Sequence, residues 1–196
     1  LVKAYDIKDQ KKNPSYLHHN GKPLVVIWGV GFNDNRAYGL SDIEIMVDKL
    51  KESGFSIMLG VPTYWRTLTS DTMEDPKLHE LIRKSDINMT WFAGRYNEAS
   101  YSPFAKLISE DIAWCKENKV DYLPLAFPGF SWKNLKGDNT SQIPRNRGSF
   151  LWKQMSESIK AGAKSLYIAM FDEIDEGTAI FKCATQVPVG ISGSTF

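Results

Sequence analysis

Short apolar runs alternate with amphipathic stretches along most of the chain. Leu24 to Trp28 (LVVIW) is unbroken by polar residues and follows Gly21, Lys22 and Pro23, as expected of a strand buried on both faces. Ser41 and Glu44 then read as a capping box, with Ile43, Met46, Val47 and Leu50 on one helical face and Gly54 as the stop. A second strand is expected at Ser56 to Leu59. Asp75 and Pro76 open a short helix carrying Leu78, Leu81 and Ile82, and Ile87 to Trp91 forms the third strand. Ser102 and Pro103 give the same start signal for a longer helix, whose buried side is Phe104, Ile108, Ile112 and Cys115 and whose end is near Asn118. Tyr122 to Phe127 is the fourth strand. After a polar stretch from Lys133 to Gln142, a helix from about Ser149 carries Leu151, Met155 and Ile159 as far as Gly162, and Leu166 to Phe171 is the fifth strand.

Consecutive strands joined by helical crossovers pair in parallel with right-handed connections, which leaves an open doubly wound sheet or a (β/α)8 barrel of the TIM type. No Gly-rich phosphate fingerprint follows a strand, so the α/β barrel is preferred. Five βα units are visible, whereas a complete barrel needs eight strands and about 250 residues. The expectation is therefore one partial barrel domain over residues 1–196, cut at both ends. The first twenty residues without a strong strand, and the tail from Gln186 with Pro188, Gly190 and Gly193, support that expectation.

Charge narrows the partners. Lys plus Arg number 24 against 23 Asp plus Glu, leaving no net field to concentrate a nucleic acid. No apolar run approaches the roughly 20 residues of a membrane span, and no charged-then-apolar leader opens the chain at Leu1. Cys115 and Cys183 are too few for a disulfide scaffold, Cys115 reads as a buried inert thiol, and no cofactor is expected. Aromatic residues make up 12% of the chain, with six Trp and eight Tyr. Pyranose faces stack on such rings in sugar clefts, although core packing accounts for many rings equally well.

In parallel α/β folds ligands meet the carboxyl ends of the strands. The first such loop holds Trp28, Phe32, Asn33, Asp34, Asn35, Arg36 and Tyr38. Tyr64, Trp65 and Arg66 follow the second strand, Arg95 and Tyr96 the third, and Trp132 the fourth, with Arg145 further on. All but the first group are candidate sugar contacts. Asp172, Glu173, Asp175 and Glu176 follow the fifth strand, and crowding of like charges tends to hold one acid protonated beside an ionised base. Glycoside hydrolysis uses such a pair. If the segment turns helically, residues three apart share a face, which groups Glu173 with Glu176; the longer Glu arm is better suited to reach a substrate, with Asp172 beside it as a binding group. A hard divalent cation held by these carboxylates, or a solvated helix N-terminus, stay open as alternatives. The three histidines, His18, His19 and His79, do not cluster with them in sequence, and no metal is expected.

The run Ala169-Met170-Phe171-Asp172-Glu173-Ile174-Asp175-Glu176-Gly177-Thr178-Ala179-Ile180 resembles bacterial relatives of the family 99 glycoside hydrolases and the related family 71 group. Phe127-Pro128-Gly129-Phe130-Ser131-Trp132 and Gln142-Ile143-Pro144-Arg145 add to the likeness, which extends from about Tyr16 to Pro188. The resemblance implies a (β/α)8 barrel in a periplasmic, cell-surface or secreted enzyme that cleaves internal α-mannosidic bonds with retention. It also implies Glu173 as the base that deprotonates the sugar 2-hydroxyl, giving a 1,2-anhydro sugar intermediate, and Glu176 as the acid and then base at the glycosidic oxygen. The family pattern has Asn, Trp and His where this chain has Asp172, Ile174 and Asp175, so the chemistry carries over further than the sugar does. The alternatives are an α-xylosidase or arabinosidase-type hydrolase, or a carbohydrate-binding barrel without turnover.

Overall fold

A computed structural model of the chain describes residues 2–140 and 142–182, so the expectations for Cys183 and for the tail from Gln186 lie outside the described residues. In chain order the elements are β1 (His18–His19), β2 (Lys22–Trp28), α1 (Leu40–Glu52), β3 (Ser56–Val61), α2 (Lys77–Lys84), β4 (Ile87–Thr90), α3 (Tyr101–Glu117), β5 (Asp121–Tyr122), β6 (Leu125–Ala126), β7 (Phe130–Ser131), α4 (Lys133–Lys136), β8 (Gln142–Ile143), α5 (Ser149–Lys160) and β9 (Tyr167–Ile168). They divide between two compact units, residues up to 91 with 113–123, and residues 92–112 with 124 onward.

In the first unit β2, β3, β4 and β5 pair in parallel, in that order, with Val25 opposite Ile57, Leu59 opposite Asn88, and Ile87 opposite Asp121. All six residues of β3 are buried, which explains why it runs nonpolar on both faces after Ser56. Ile27, Ile57, Leu59 and Val61 pack in one core with Ile43 and Val47 of α1 and Leu78, Leu81 and Ile82 of α2. Of the α1 face read from the sequence, Ile43 and Val47 lie in this core and Leu50 packs against it, whereas Met46 is exposed and Leu40 is buried. The cap of α1 differs from the expected Ser41 and Glu44. Gly39 takes an extended conformation as N-cap and its N–H donates to Asp42 Oδ2 at 2.9 Å, which places the cap two residues earlier. Glu44 is instead drawn to α2, with Lys77 at 2.6 Å and Lys84 at 2.7 Å. At α2 the expected start holds, since the Lys77 N–H donates to Asp75 Oδ1 at 2.9 Å.

The strand β1 was not anticipated. It forms a hairpin with β2 through Asn20 and Gly21, both at positive φ (50° and 75°), the conformation for which Asn-Gly is the favoured pair. His19 ties three strands together: Nδ1 lies 3.0 Å from Ser56 Oγ and Nε2 lies 2.8 Å from Asp121 Oδ2. Ser56 is buried, so this Ser, His and Asp chain is a structural stitch.

The expected fourth strand, Tyr122 to Phe127, is interrupted at Pro124, which has no N–H for a ladder. β5 belongs to the first sheet, and β6 pairs in parallel with β9, Leu125 opposite Tyr167. The fifth strand is correspondingly shorter than expected. In the second unit Phe92, Tyr96, Phe127 and Phe150 are buried and in ring contact around Tyr96. Gln154 of α5 has no exposed surface and uses its amide fully. Its Nε2 donates to the Phe127 carbonyl at 2.8 Å, and its Oε1 accepts from the Phe127 N–H at 3.1 Å and the Tyr96 hydroxyl at 3.0 Å. Along α3 the buried positions are Tyr101, Ile108, Asp111 and Cys115, so Asp111 rather than Ile112 takes the inward side. Among the described residues no helix is long and apolar enough to cross a membrane.

Candidate active site

The carboxylates lie on an excursion of the second unit between β9 and residue 181. The segment is not helical. It makes one tight turn in which the Gly177 N–H donates to the Ile174 carbonyl at 3.0 Å, with Gly177 at φ 66°, where a Cβ would be strained. The Glu173 carbonyl accepts from the N–H groups of Thr178 at 3.0 Å and Ala179 at 2.7 Å, and Ile180 N–H returns to the Met170 carbonyl at 3.1 Å. The turn therefore closes on itself with Glu173 at its entrance and Glu176 near its end. Both side chains belong to half-buried residues, and Asp172 is exposed.

The Glu176 carboxyl is held above the ordinary Glu range. Burial is the main cause, followed by the charge of Glu173, with Asp175 adding to the effect and Lys136 opposing it. The charge of Glu173 thus acts on the Glu176 carboxyl three residues on, and a turn closed by Gly177 and not a helix sets that spacing. Lys136 is part of this surrounding. Its Nζ lies 3.7 Å from the ring centroid of Trp132, which meets Phe130 edge-on at 4.9 Å. Phe130 and Trp132 also line an open cavity of about 280 Å³ in the same unit, together with Arg95, Asn97, Gln142 and Ile143. The β7–β8 hairpin forms one wall of this cavity. Gly94 makes it possible: a Cβ there would lie 3.1 Å from the Phe130 ring.

Several expected sugar contacts are placed otherwise. Trp65 has no exposed surface; its Nε1 donates to Thr90 Oγ1 at 2.9 Å and its ring meets Trp114 edge-on at 4.9 Å, so it is core and not a stacking platform. Tyr96 reaches the cavity wall but is 3% exposed, with its hydroxyl committed to Gln154 and its ionisation pushed well up by burial. Arg145 Nη2 donates to the carbonyls of Gly177, at 2.9 Å, and Ala179. Tyr64 and Arg66 are half-buried on the loop after β3, which Asp71 shapes by accepting the Thr63 and Tyr64 N–H groups at 3.1 and 3.2 Å. Arg95 and Trp132 line the cavity. Lys136 is not among the residues expected from the sequence, although its place four residues after Trp132 is a readable signal that the two share a helical face. Among the described residues no group of three or more His, Cys, Asp or Glu is placed to hold a metal ion.

In the first unit the loop after β2 carries a separate aromatic group. Trp28 is 44% exposed and meets Trp91 and Phe32, each at 5.3 Å between centroids. The Arg36 guanidinium lies over Trp28 and Phe32 at 5.0 and 4.8 Å, held by Asp34 at 2.8 and 2.7 Å and by the Tyr38 hydroxyl at 3.0 Å. Gly60 makes room for the indole, since a Cβ there would fall 2.6 Å from Trp28 Cδ1.

Comparison with solved structures gives the wider relation. The fold is GH99-like. Two structures of a GH99 endo-α-mannosidase from Bacteroides thetaiotaomicron match 90% of this chain at a TM-score of 0.60, with 17% and 21% identity, over 52% and 49% of their own length. A glycoside hydrolase-like protein matches 90% of the chain at a TM-score of 0.57 and 16% identity, over 52% of its length. The chain thus spans about half the length of the structures it matches. No family model and no curated protein matches the sequence. The mixed α/β arrangement of parallel strands and helical crossovers is consistent with part of a TIM-barrel-like fold.

Proposed function

We propose that this chain is part of a retaining glycoside hydrolase that cleaves α-linked glycans in the manner of an endo-α-mannosidase, on a partial (β/α) barrel. The reading rests on one observation above all: Glu173 and Glu176 share a turn in which burial and like charge hold Glu176 above the ordinary Glu range. An acid held protonated to higher pH than an ordinary Glu is better suited to deliver a proton to a departing oxygen. Glu173 would take the proton of the sugar 2-hydroxyl as O2 bonds to the anomeric carbon. Glu176 gives its proton to the glycosidic oxygen as the bond from C1 to that oxygen breaks. Water, deprotonated by the Glu176 carboxylate, then attacks the anomeric carbon, the C1–O2 bond of the 1,2-anhydro sugar opens, and the proton on Glu173 returns to O2. Two inversions give retention. Trp132 and Arg95 at the cavity, with Asp172, are the proposed sugar contacts on this unit. No metal or cofactor takes part in this scheme. A periplasmic, cell-surface or secreted setting suits an enzyme of polysaccharide breakdown.

The test is stereochemical, made with the full-length protein on α-mannan oligosaccharides and an α-pentoside panel. Proton NMR of the earliest product should show the α-anomer, and a substrate lacking the 2-hydroxyl should not be turned over. A β-anomer first, or brisk cleavage of the 2-deoxy substrate, contradicts the scheme. Binding without any product over long incubation would favour a carbohydrate-binding protein instead.

A further inference from the structure

We infer that Arg145 is a positioning residue for the carboxylate turn and not a sugar contact, acting through the backbone carbonyls that its guanidinium grips. The inference rests on the glycosidase reading for its kinetic consequence, but its structural part stands by itself. Four carbonyls of the turn are held from the stretch that contains β7, α4 and β8. The Ser131 N–H donates to the Glu176 carbonyl at 2.8 Å, Asn134 Nδ2 donates to the Ile174 carbonyl at 3.0 Å, and Arg145 Nη2 reaches both Gly177, at 2.9 Å, and Ala179. These grips bracket Glu176 on both sides. Close contact is built into the neighbouring glycines. A Cβ at Gly129 would fall 2.8 Å from Arg145 Cγ and 2.7 Å from the Ile143 carbonyl oxygen, and one at Gly177 would fall 3.3 Å from Ser131 Cβ.

Charge explains why a guanidinium is used. The turn carries Asp172, Glu173, Asp175 and Glu176 within five positions. Mutual repulsion favours an opened loop, and a cation bonded to two carbonyls opposes that opening. The bonds go to main-chain oxygens, so the carboxylates themselves are left for the substrate. A misplacement of about 1 Å at a reacting group can cost roughly a hundredfold in rate, which sets the size of the expected effect.

The experiment compares wild type with Arg145→Ala, Arg145→Lys and Asn134→Ala in the full-length protein, by amide hydrogen exchange and by steady-state kinetics. Arg145 is exposed and Asn134 half-buried, so neither change removes core packing. In Arg145→Ala the amides of Thr178 and Ala179 should exchange about tenfold faster or more, and kcat should fall about a hundredfold with KM within about threefold. Guanidinium ion at millimolar concentration should restore part of kcat, and Arg145→Lys should retain more activity than the alanine variant. Asn134→Ala should change both readouts in the same direction by less. Unchanged exchange at Thr178 and Ala179 overturns the clamp. A raised KM with unchanged kcat overturns it in favour of a sugar contact, and faster exchange with unchanged kcat denies the clamp any part in positioning. If wild type cleaves no α-glycan, the glycosidase reading fails by itself, while the exchange result still decides whether the clamp exists.

Discussion

Glu176 experiences opposing influences that can be changed one at a time. Burial and the charges of Glu173 and Asp175 favour its neutral form, and Lys136 favours the ionised form. Replacing Lys136 by Met removes the one influence that lowers the pKa, so the carboxyl should stay protonated to higher pH. With Glu176 as the acid, the alkaline limb of the pH dependence of kcat/KM should move upward in Lys136→Met. A limb moving down, or not at all, would show that another group sets it. At this scale the sequence was informative about charge and misleading about rings. Four acids in five positions identified the turn. Trp65 and Tyr96, however, read as sugar platforms because aromatic side chains after strands carry no mark of whether they turn outward or into the core. Only the partners decide, and those are Thr90 and Trp114 for Trp65 and Gln154 for Tyr96.

Between elements, α1 and α2 are joined at the surface of the first unit by Glu44, which holds both Lys77 and Lys84 and has its pKa lowered from 4.5 to about 2, chiefly by hydrogen bonds from the two lysines. A depressed carboxylate contributes stability that is fully present above its unfolded value. That contribution is lost as pH falls through the folded one, here between about 4.5 and about 2. Glu44→Gln should therefore lower Tm at neutral pH and show a shallower loss of Tm across that acidic window, measured by circular dichroism at low salt. Equal slopes for both proteins would refute the role given to this cluster. The helices α1, α2 and α3 and the strands β2, β3 and β4 were legible because burial imposes a period on the sequence, whereas α4 lies in the stretch from Lys133 read as polar, and α5 buries Phe150, Gln154 and Ser158 in place of the expected Leu151, Met155 and Ile159. The cap of α1 was not, because Ser41 and Gly39 are both acceptable N-caps and the distant lysines compete for Glu44. The β1 hairpin had a local signal in Asn20 and Gly21, whereas the β7–β8 pairing joins Phe130-Ser131 to Gln142-Ile143, two dipeptides each with one apolar and one polar residue and no turn signal of their own.

For the molecule as a whole, strand order and crossovers follow from the alternation of buried strands and amphipathic helices, and the likeness to glycoside hydrolase structures agrees with that order. Pro124 broke the expected fourth strand into β5 and β6, one in each compact unit, which a purely hydrophobic pattern does not reveal. The catalytic proposal draws all its groups from the second unit: the turn with its two Glu residues, the hairpin that grips it, and the cavity beside Trp132. The most direct measurement is hydrolysis by Glu173→Gln and Glu176→Gln of paired α-glycosides with poor and good leaving groups, in the full-length protein. The account predicts that Glu173→Gln loses about a thousandfold or more on both substrates, while Glu176→Gln loses heavily on the poor leaving group and much less on the good one. Wild-type rates in either variant on the poor leaving group would contradict it.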